Sequence, residues 1–338
     1  MMKQGRILYG GLRSLDRLLH KDEWQGAKFV VLLDENTFEL CLPRLVAEVE
    51  ALQEASFIEV PVGEECKSLE VASQVWQTLI DDGADRQAVV VNLGGGSVCD
   101  LGGWVAANYK RGIRHINVPT TLLAMVDAAI GGKTAIDFGG VKNSVGAFCT
   151  AAAVVLEPSF LQTLSAEQLL CGRMEMVKTA AVADPALYAD LIASPTLSPE
   201  HIKQVARIKA AVVKADPFDL AARKILNFGH TFGHAIEMHS RLPHGLAVGV
   251  GMKAALYLSM RKAGLDEGVY DAYARWLGST MSLPRYTLRE VEKMLPLMHH
   301  DKKSTSDEVR CVLLRSLGEA VIDVAVSDHE VRDAMLHL

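Results

Sequence analysis

Two histidines four residues apart, His230 and His234, lie in the run Asn227-Phe228-Gly229-His230-Thr231-Phe232-Gly233-His234, with His244-Gly245 beyond. On a helix this spacing stacks both imidazoles on one face, an arrangement that suits a divalent metal. Glu237, three residues further on, is an available acidic partner. The competing reading is a polar helix face with hydrogen-bonded core histidines. Upstream, Glu175 and Lys178 stand one helical turn apart in Arg173-Met174-Glu175-Met176-Val177-Lys178. By themselves they read as an i,i+3 ion pair worth roughly a few tenths of a kcal/mol. Spacing alone leaves open which three groups hold a metal.

Two glycine-rich stretches point to a second kind of chemistry. Gly94-Gly95-Gly96-Ser97-Val98-Cys99-Asp100 follows an apolar run ending at Leu93. Glycines there let backbone approach a ligand, and the following helix N-terminus favours an anion. The usual dinucleotide fingerprint has glycine or alanine at its sixth position, where this chain has Cys99. The other stretch, Asp127-Ala128-Ala129-Ile130-Gly131-Gly132-Lys133-Thr134, is followed by Lys142-Asn143. A P-loop reading fails because Asp127 stands where that motif needs its first glycine. Two lysines and an aspartate among glycines nonetheless favour ligand binding over a solvated loop.

The elements that must position these residues change character along the chain. Apolar runs at Lys28 to Leu33, Phe57 to Val60 and Ala88 to Leu93 read as buried strands, with further candidates at His115 to Val118 and Ala153 to Leu156. Val71, Val75, Trp76, Leu79 and Ile80 recur at helical spacing and predict a helix over 69–81. Strands alternating with helices predict a mostly parallel sheet covered on both faces. From about Ala166 to Leu297 the pattern is helical, punctuated at Asp184-Pro185, Ser198-Pro199 and Asp216-Pro217, and strand-like runs return at Val309 to Leu314 and Ala320 to Val324. We therefore expect an α/β amino-terminal domain over 1–158, to which the family resemblance given below adds nucleotide binding, and a mainly α-helical carboxy-terminal domain over 159–338. The cleft between two such domains is the default ligand site.

Composition narrows the class. With 338 residues, 49% hydrophobic and 22% charged, the chain reads as globular rather than disordered. Its 35 basic against 41 acidic residues give a net charge of −6, no general reason to expect nucleic acid or a membrane surface as partner. No stretch approaches the roughly 20 uncharged apolar residues needed to span a bilayer. Six scattered cysteines form no Cys-x-x-Cys pair, which argues against a disulfide framework or a cysteine zinc site. The expectation is a cytoplasmic protein.

Taken in order, the motifs resemble those of the 3-dehydroquinate synthase family, of the sugar-phosphate cyclase superfamily. They are Gly63-Glu64-Glu65-Cys66-Lys67, the turn Gly94 to Asp100, Arg111 to Arg114 leading to Val118 to Ala124, Gly131 to Thr134, Lys142-Asn143, Asn227 to His234, His244-Gly245 and Asp301-Lys302-Lys303. The resemblance implies a catalytic zinc or cobalt ion held by Glu175, His230 and His244, with His234 a catalytic neighbour. It implies NAD held by Asp34, Asn36, Glu64, Lys67, Gly95, Gly96, Ser97, Val98, Cys99, Asp100, Thr120, Thr121, Lys133, Lys142, Phe160, Leu161, Gln162 and Thr163. The substrate implied is a sugar phosphate, 3-deoxy-D-arabino-heptulosonate 7-phosphate. It would be met by Asp127, Lys133, Asn143, Lys178, Lys209, Arg223, Asn227, His234 and Lys302, with Arg111 reaching a phosphate across a homodimer interface. Several positions depart from the family pattern: Cys99 for a glycine, Leu246 for glutamate after His-Gly, Pro217 for glutamate after Asp216, Met174 to Thr179 for Ala-Glu-Val-Ile-Lys-Tyr, and Cys149-Thr150 for aromatic-Gln. Cys99 raises the question of crowding at the pyrophosphate, and Leu246 that of an altered metal surround.

Overall fold

The apolar runs of the first half pair into one parallel sheet of six strands. They are β1 (Arg6–Leu8), β2 (Phe29–Asp34), β3 (Ser56–Val60), β4 (Val89–Gly94), β5 (Arg114–Pro119) and, after a hairpin of β6 (Lys133–Phe138) and β7 (Val141–Phe148), β8 (Ala153–Val155). The computed structural model describes residues 5–299 and 308–338. The chain divides into one compact unit through Leu169 and a second from Leu170.

In the first unit the strand order is β1-β8-β5-β4-β2-β3. The chain winds outward from β2 to β3, then returns to place β4 on the other side of β2. Strand order therefore reverses between β2 and β4, and their carboxyl ends flank the crevice where such sheets take ligands. β4 is buried along its whole length, as a near-continuous apolar run requires.

The helix expected over 69–81 is observed as Leu69–Asp81, started by Ser68, whose hydroxyl accepts from the Val71 amide at 3.2 Å. Val71, Val75 and Leu79 are buried beneath it, whereas Ile80 is 57% exposed. The helix Gly96–Asn108 lies so close on the sheet that a Cβ at Gly102 would come within 1.8 Å of Asn92 Oδ1. Only glycine permits that contact.

The hairpin is the element that the sequence conceals. Its strands turn through Gly139 and Gly140, both at positive φ, as a two-residue hairpin turn demands. β7 is solvent-facing along most of its length, so it carries no apolar alternation.

The second unit is built from helices, with one antiparallel pair, β9 (Glu308–Ser316) and β10 (Glu319–Ser327). The expected punctuation becomes capping. Asp184 accepts from the Leu187 amide at 3.0 Å ahead of Pro185, and Ser198 caps the helix Pro199–Ala215 together with His201.

The last helix, Asp328–Leu336, opens on a capping box in which Glu330 Oε2 accepts from both the Ser327 amide and hydroxyl at 2.8 Å. Lys262 Nζ donates to the same carboxylate at 2.7 Å. Lys262 chiefly, against the opposing effect of burial and with the help of Ser327, holds the Glu330 carboxyl down at about 2. Since the folded value lies below the ordinary 4.5, this stabilisation is complete above that pH and drains away as pH falls toward 2. Glu330→Gln is expected to cost about 1 kcal/mol at pH 7, solvent screening keeping the figure small. Urea unfolding at pH 7 and at pH 3 checks it: the variant's deficit should shrink at the lower pH.

Candidate active site

The second unit gathers the metal-binding candidates. Glu175 is fully buried on the helix Ala166–Ala183, and Lys178, one turn along at 1% exposure, brings Nζ to 2.6 Å from its Oε2. His230 and His244 each open a helix, His230–Ser240 and His244–Leu258. His230 Nε2 lies 3.8 Å and His244 Nε2 3.5 Å from Glu175 Oε1. Ring centroids of His230, His234 and His244 are 5.2, 5.4 and 5.7 Å apart pairwise, and each ring offers a nitrogen within 4.8 Å of the others. The exposed His234 thus joins the cluster as a fourth polar group.

The outer contacts decide which nitrogen each ring presents. His230 Nδ1 donates to the Phe228 carbonyl at 3.3 Å, and His244 Nδ1 donates to Glu237 Oε2 at 2.9 Å. Both rings therefore turn Nε2 toward Glu175. Neither oxygen of Glu175 has a hydrogen bond of proper geometry, although the side chain has no exposure to solvent. With Oε2 ion-paired to Lys178, a buried Oε1 opposite the Nε2 atoms of two imidazoles fits a divalent cation well. Leu246, buried one turn into its helix, does not leave His244 without an acidic neighbour, because Glu237 supplies one.

The electrostatics agree. Burial pushes the Glu175 carboxyl up, but Lys178 and the two imidazoles together hold it well below its ordinary value. Burial, with Lys178 adding to it, pushes His230 down to about 3. Burial acts on His244 in the same sense, but Glu175 and Glu237 beside it carry that ring up to about 10.

Other candidates of this unit lie nearby in sequence. Lys209 and Arg223 are buried at 6% and 4% exposure, while Asn227, which ends the turn Ala222–Asn227, is exposed. Asp216 is a clamp: its carboxylate takes the amides of Leu220, Ala221 and Arg223 at 3.1, 2.7 and 3.1 Å, and Arg223 donates to the Pro217 carbonyl at 3.1 Å. Lys302 and its neighbours Asp301 and Lys303 lie outside the described residues.

In the first unit, the glycine turn joins β4 to the helix Gly96–Asn108, with Gly95 as the residue before it. Cβ positions built at Gly95 and Gly96 would fall 3.2 Å from Thr121 Cγ2 and 3.1 Å from Ala128, so the turn is packed against the Thr120–Ala128 segment. Thr120 is buried and its amide donates to the Gly94 carbonyl at 2.9 Å, while Thr121 Oγ1 accepts from the Ala124 amide at 3.2 Å. Asp127 sits in a π-helical turn, Ala124–Ala128, a distortion frequent at functional sites. Cys99 does not crowd the open side of the turn. It is 2% exposed with Sγ 3.9 Å from the Gly94 carbonyl, beside the buried Val98.

A charged network closes on the turn from outside. Lys67, 3% exposed, donates to Asp100 Oδ2 at 2.9 Å and to Asn143 Oδ1, and Ser97 donates to Glu64 Oε1 at 2.7 Å. Lys133 opens β6, and Lys142 and Asn143 lie exposed on β7. Asp34 ends β2 and caps the helix Glu35–Leu40, its Oδ1 taking the Thr37 amide at 2.9 Å, with Asn36 exposed in the first turn. The turn Pro158–Thr163 holds Phe160 in the core, with Leu161 and Gln162 on its surface and Thr163 Oγ1 donating to the Phe160 carbonyl at 2.8 Å. Arg111 follows the glycine-turn helix in a run of left-handed residues, Lys110 at φ 47°, Arg111 at 68° and Gly112 at 110°. Two consecutive non-glycine residues there store strain of the sort found at ligand clamps.

Known proteins are similar to this chain over most of its length. The model of the 3-dehydroquinate synthase N-terminal region matches residues 57–171, and that of the C-terminal region matches 172–304. The chain is 35% identical to a 3-dehydroquinate synthase of Parabacteroides distasonis, over 91% of this chain and 90% of that protein. It is 41% identical to one of Dehalococcoides mccartyi, over 79% and 77%. Among solved structures, 2-epi-5-epi-valiolone synthase of Streptomyces hygroscopicus, with NAD+ and Zn2+ bound, has a TM-score of 0.85 at 24% identity, covering 100% of this chain and 97% of that one. A 2-deoxy-scyllo-inosose synthase in complex with carbaglucose-6-phosphate, NAD+ and Co2+ has a TM-score of 0.84 at 23% identity, covering 98% and 96%. An iron-containing alcohol dehydrogenase of Thermococcus thioreducens shares the fold at a TM-score of 0.69 and 17% identity, covering 100% and 99%. By sequence over most of its length, the chain belongs to the 3-dehydroquinate synthase family.

Proposed function

We infer that the chain converts 3-deoxy-D-arabino-heptulosonate 7-phosphate to 3-dehydroquinate and phosphate, with NAD and a divalent metal, zinc or cobalt. The observation that carries this reading is the buried Glu175 Oε1, which has no hydrogen-bond partner and faces Nε2 of both His230 and His244. Those three residues would hold the metal. NAD would lie at the carboxyl ends of β2 and β4, where strand order reverses, with its pyrophosphate on the amides of Gly95 to Ser97. When bound there, the metal would supply polarisation of a substrate hydroxyl and NAD a reversible store for a hydride, so that no net oxidation would result.

The chain's own side chains bind and orient. In the second unit, the buried cations Lys209 and Arg223 pair with the substrate's anionic groups, and His234 and Lys209 hold its hydroxyls and water. Lys178 keeps Glu175 ionised. In the first unit, Lys133 and Asn143 hold further substrate oxygens and Asp127 accepts from a hydroxyl. A ketone on the substrate acidifies the adjacent C–H, and phosphate leaves with its own oxygen taking that proton. Ring opening and an intramolecular aldol closure follow, both favoured by holding one conformer. The working form is a homodimer in the cytoplasm, with Arg111 contributed across the interface; light scattering of the purified protein tests the oligomeric state. Among the described residues, no helix is long and apolar enough to cross a membrane.

Incubation with the heptulosonate phosphate, NAD and zinc is expected to yield dehydroquinate and phosphate in equal amounts with no lasting absorbance from NADH. Accumulating NADH would instead assign a dehydrogenase, and another carbocycle a different cyclase.

A further inference from the structure

Asp137 belongs to none of the motifs, yet it stands where the hairpin meets the glycine turn. β6 and β7 pair regularly from Lys133 with Phe148 to Ile136 with Val145, and pairing resumes only at Phe138 with Val141. Asp137 falls in that break, opposite Lys142, Asn143 and Ser144. Irregularities of this type re-aim side chains and cluster beside active sites. The Asp137 amide leaves the hairpin to donate to the Lys67 carbonyl at 2.8 Å. Its Oδ1 accepts from the Asn143 amide at 2.7 Å. Asn143 has φ 53°, a left-handed conformation that needs such an anchor. The Asn143 side chain then accepts from Lys67 Nζ, which also donates to Asp100 Oδ2. Lys67, Asp137 and Asn143 thereby form a closed circuit: backbone to backbone, carboxylate to amide, amine to carboxamide.

We propose that Asp137 is a positioning residue that fixes Lys142 and Asn143 relative to the glycine turn, coupling the grip on NAD to the grip on the sugar phosphate. The inference rests on the function proposed above. It needs only an acceptor at Oδ1, since the bond runs to a neutral amide. Asparagine can supply that acceptor; alanine and leucine cannot.

The test uses the full chain with zinc, the heptulosonate phosphate as substrate and calorimetric NAD titration without substrate. Asp137→Ala is expected to raise the KM for the sugar phosphate and the Kd for NAD by about tenfold each, with kcat changed far less. Asp137→Asn should return both to within about threefold of the parent, because the amide bond is restored. Should the alanine protein fail to fold, Asp137→Leu, which fills the same space without an acceptor, carries the same expectation. Unchanged KM and Kd in the alanine or leucine variant overturn the proposal, as does an asparagine variant no better than alanine. A parent protein that makes no dehydroquinate overturns the function reading instead, and the NAD titration, which needs no turnover, still decides on Asp137.

Discussion

His244→Ala is expected to weaken zinc binding on the order of a thousandfold and to abolish turnover while the protein stays folded. The ring opens its helix and its Nε2 is one of two imidazole nitrogens facing Glu175, so its loss leaves one carboxylate and one imidazole. His234 stands in the same cluster and is the group to which the ion would turn. Competition with a chromogenic chelator measures the affinity directly. Unchanged metal content would overturn the ligand assignment. Glu237→Ala should fall between this variant and the parent. Removing the carboxylate that orients a metal-bound imidazole costs roughly 10–100-fold, and here Glu237 makes the 2.9 Å bond that turns His244.

Lys178→Ala is the second large effect, and it divides stability from metal binding. Lys178 and Glu175 form an ion pair of 2.6 Å at 1% and 0% exposure. Removing one partner of a buried pair costs about 3–5 kcal/mol, because the remaining charge has lost its compensation. In this site a divalent cation can supply it. The metal-free variant should therefore unfold at markedly lower urea than the parent, and saturating zinc should narrow the gap. Parallel urea titrations with zinc and with chelator check this. A deficit that is the same in both conditions would show that Glu175 does not face the ion. Activity should be lost under either condition, since Lys178 is also proposed as a substrate contact.

The sequence conveyed some of this plainly and some not at all. β2 and β4 were legible because burial on both faces demands unbroken apolar runs. The helix Leu69–Asp81 was legible from its periodicity, yet Ile80, counted in that pattern, faces solvent, since a helix buries only a stripe. The hairpin was hidden because its exposed strand needs no alternation and its turn glycines read as a loop. β1 is three residues long and leaves little signature. In the site, His spacing brought out His230 and His234 but could not reveal that Glu237 turns His244, because that contact depends on how two helices meet. Cys99 looked like an obstacle in one dimension; the helix rotates its thiol toward the core. Asp137 had no sequence signal, since its importance lies in a break of strand register.

The helix that carries the glycine turn also carries Trp104, whose ring lies 5.2 Å from that of Trp76, with Trp76 Nε1 donating to the Val105 carbonyl at 3.1 Å. Indole emission overlaps the absorption of reduced nicotinamide. Three of the chain's four tryptophans, Trp24, Trp76 and Trp104, thus lie in the first unit, where NAD is proposed to bind, as natural energy donors. Stopped-flow quenching of their fluorescence, with no label attached, could then register a hydride that is borrowed and returned within a single turnover.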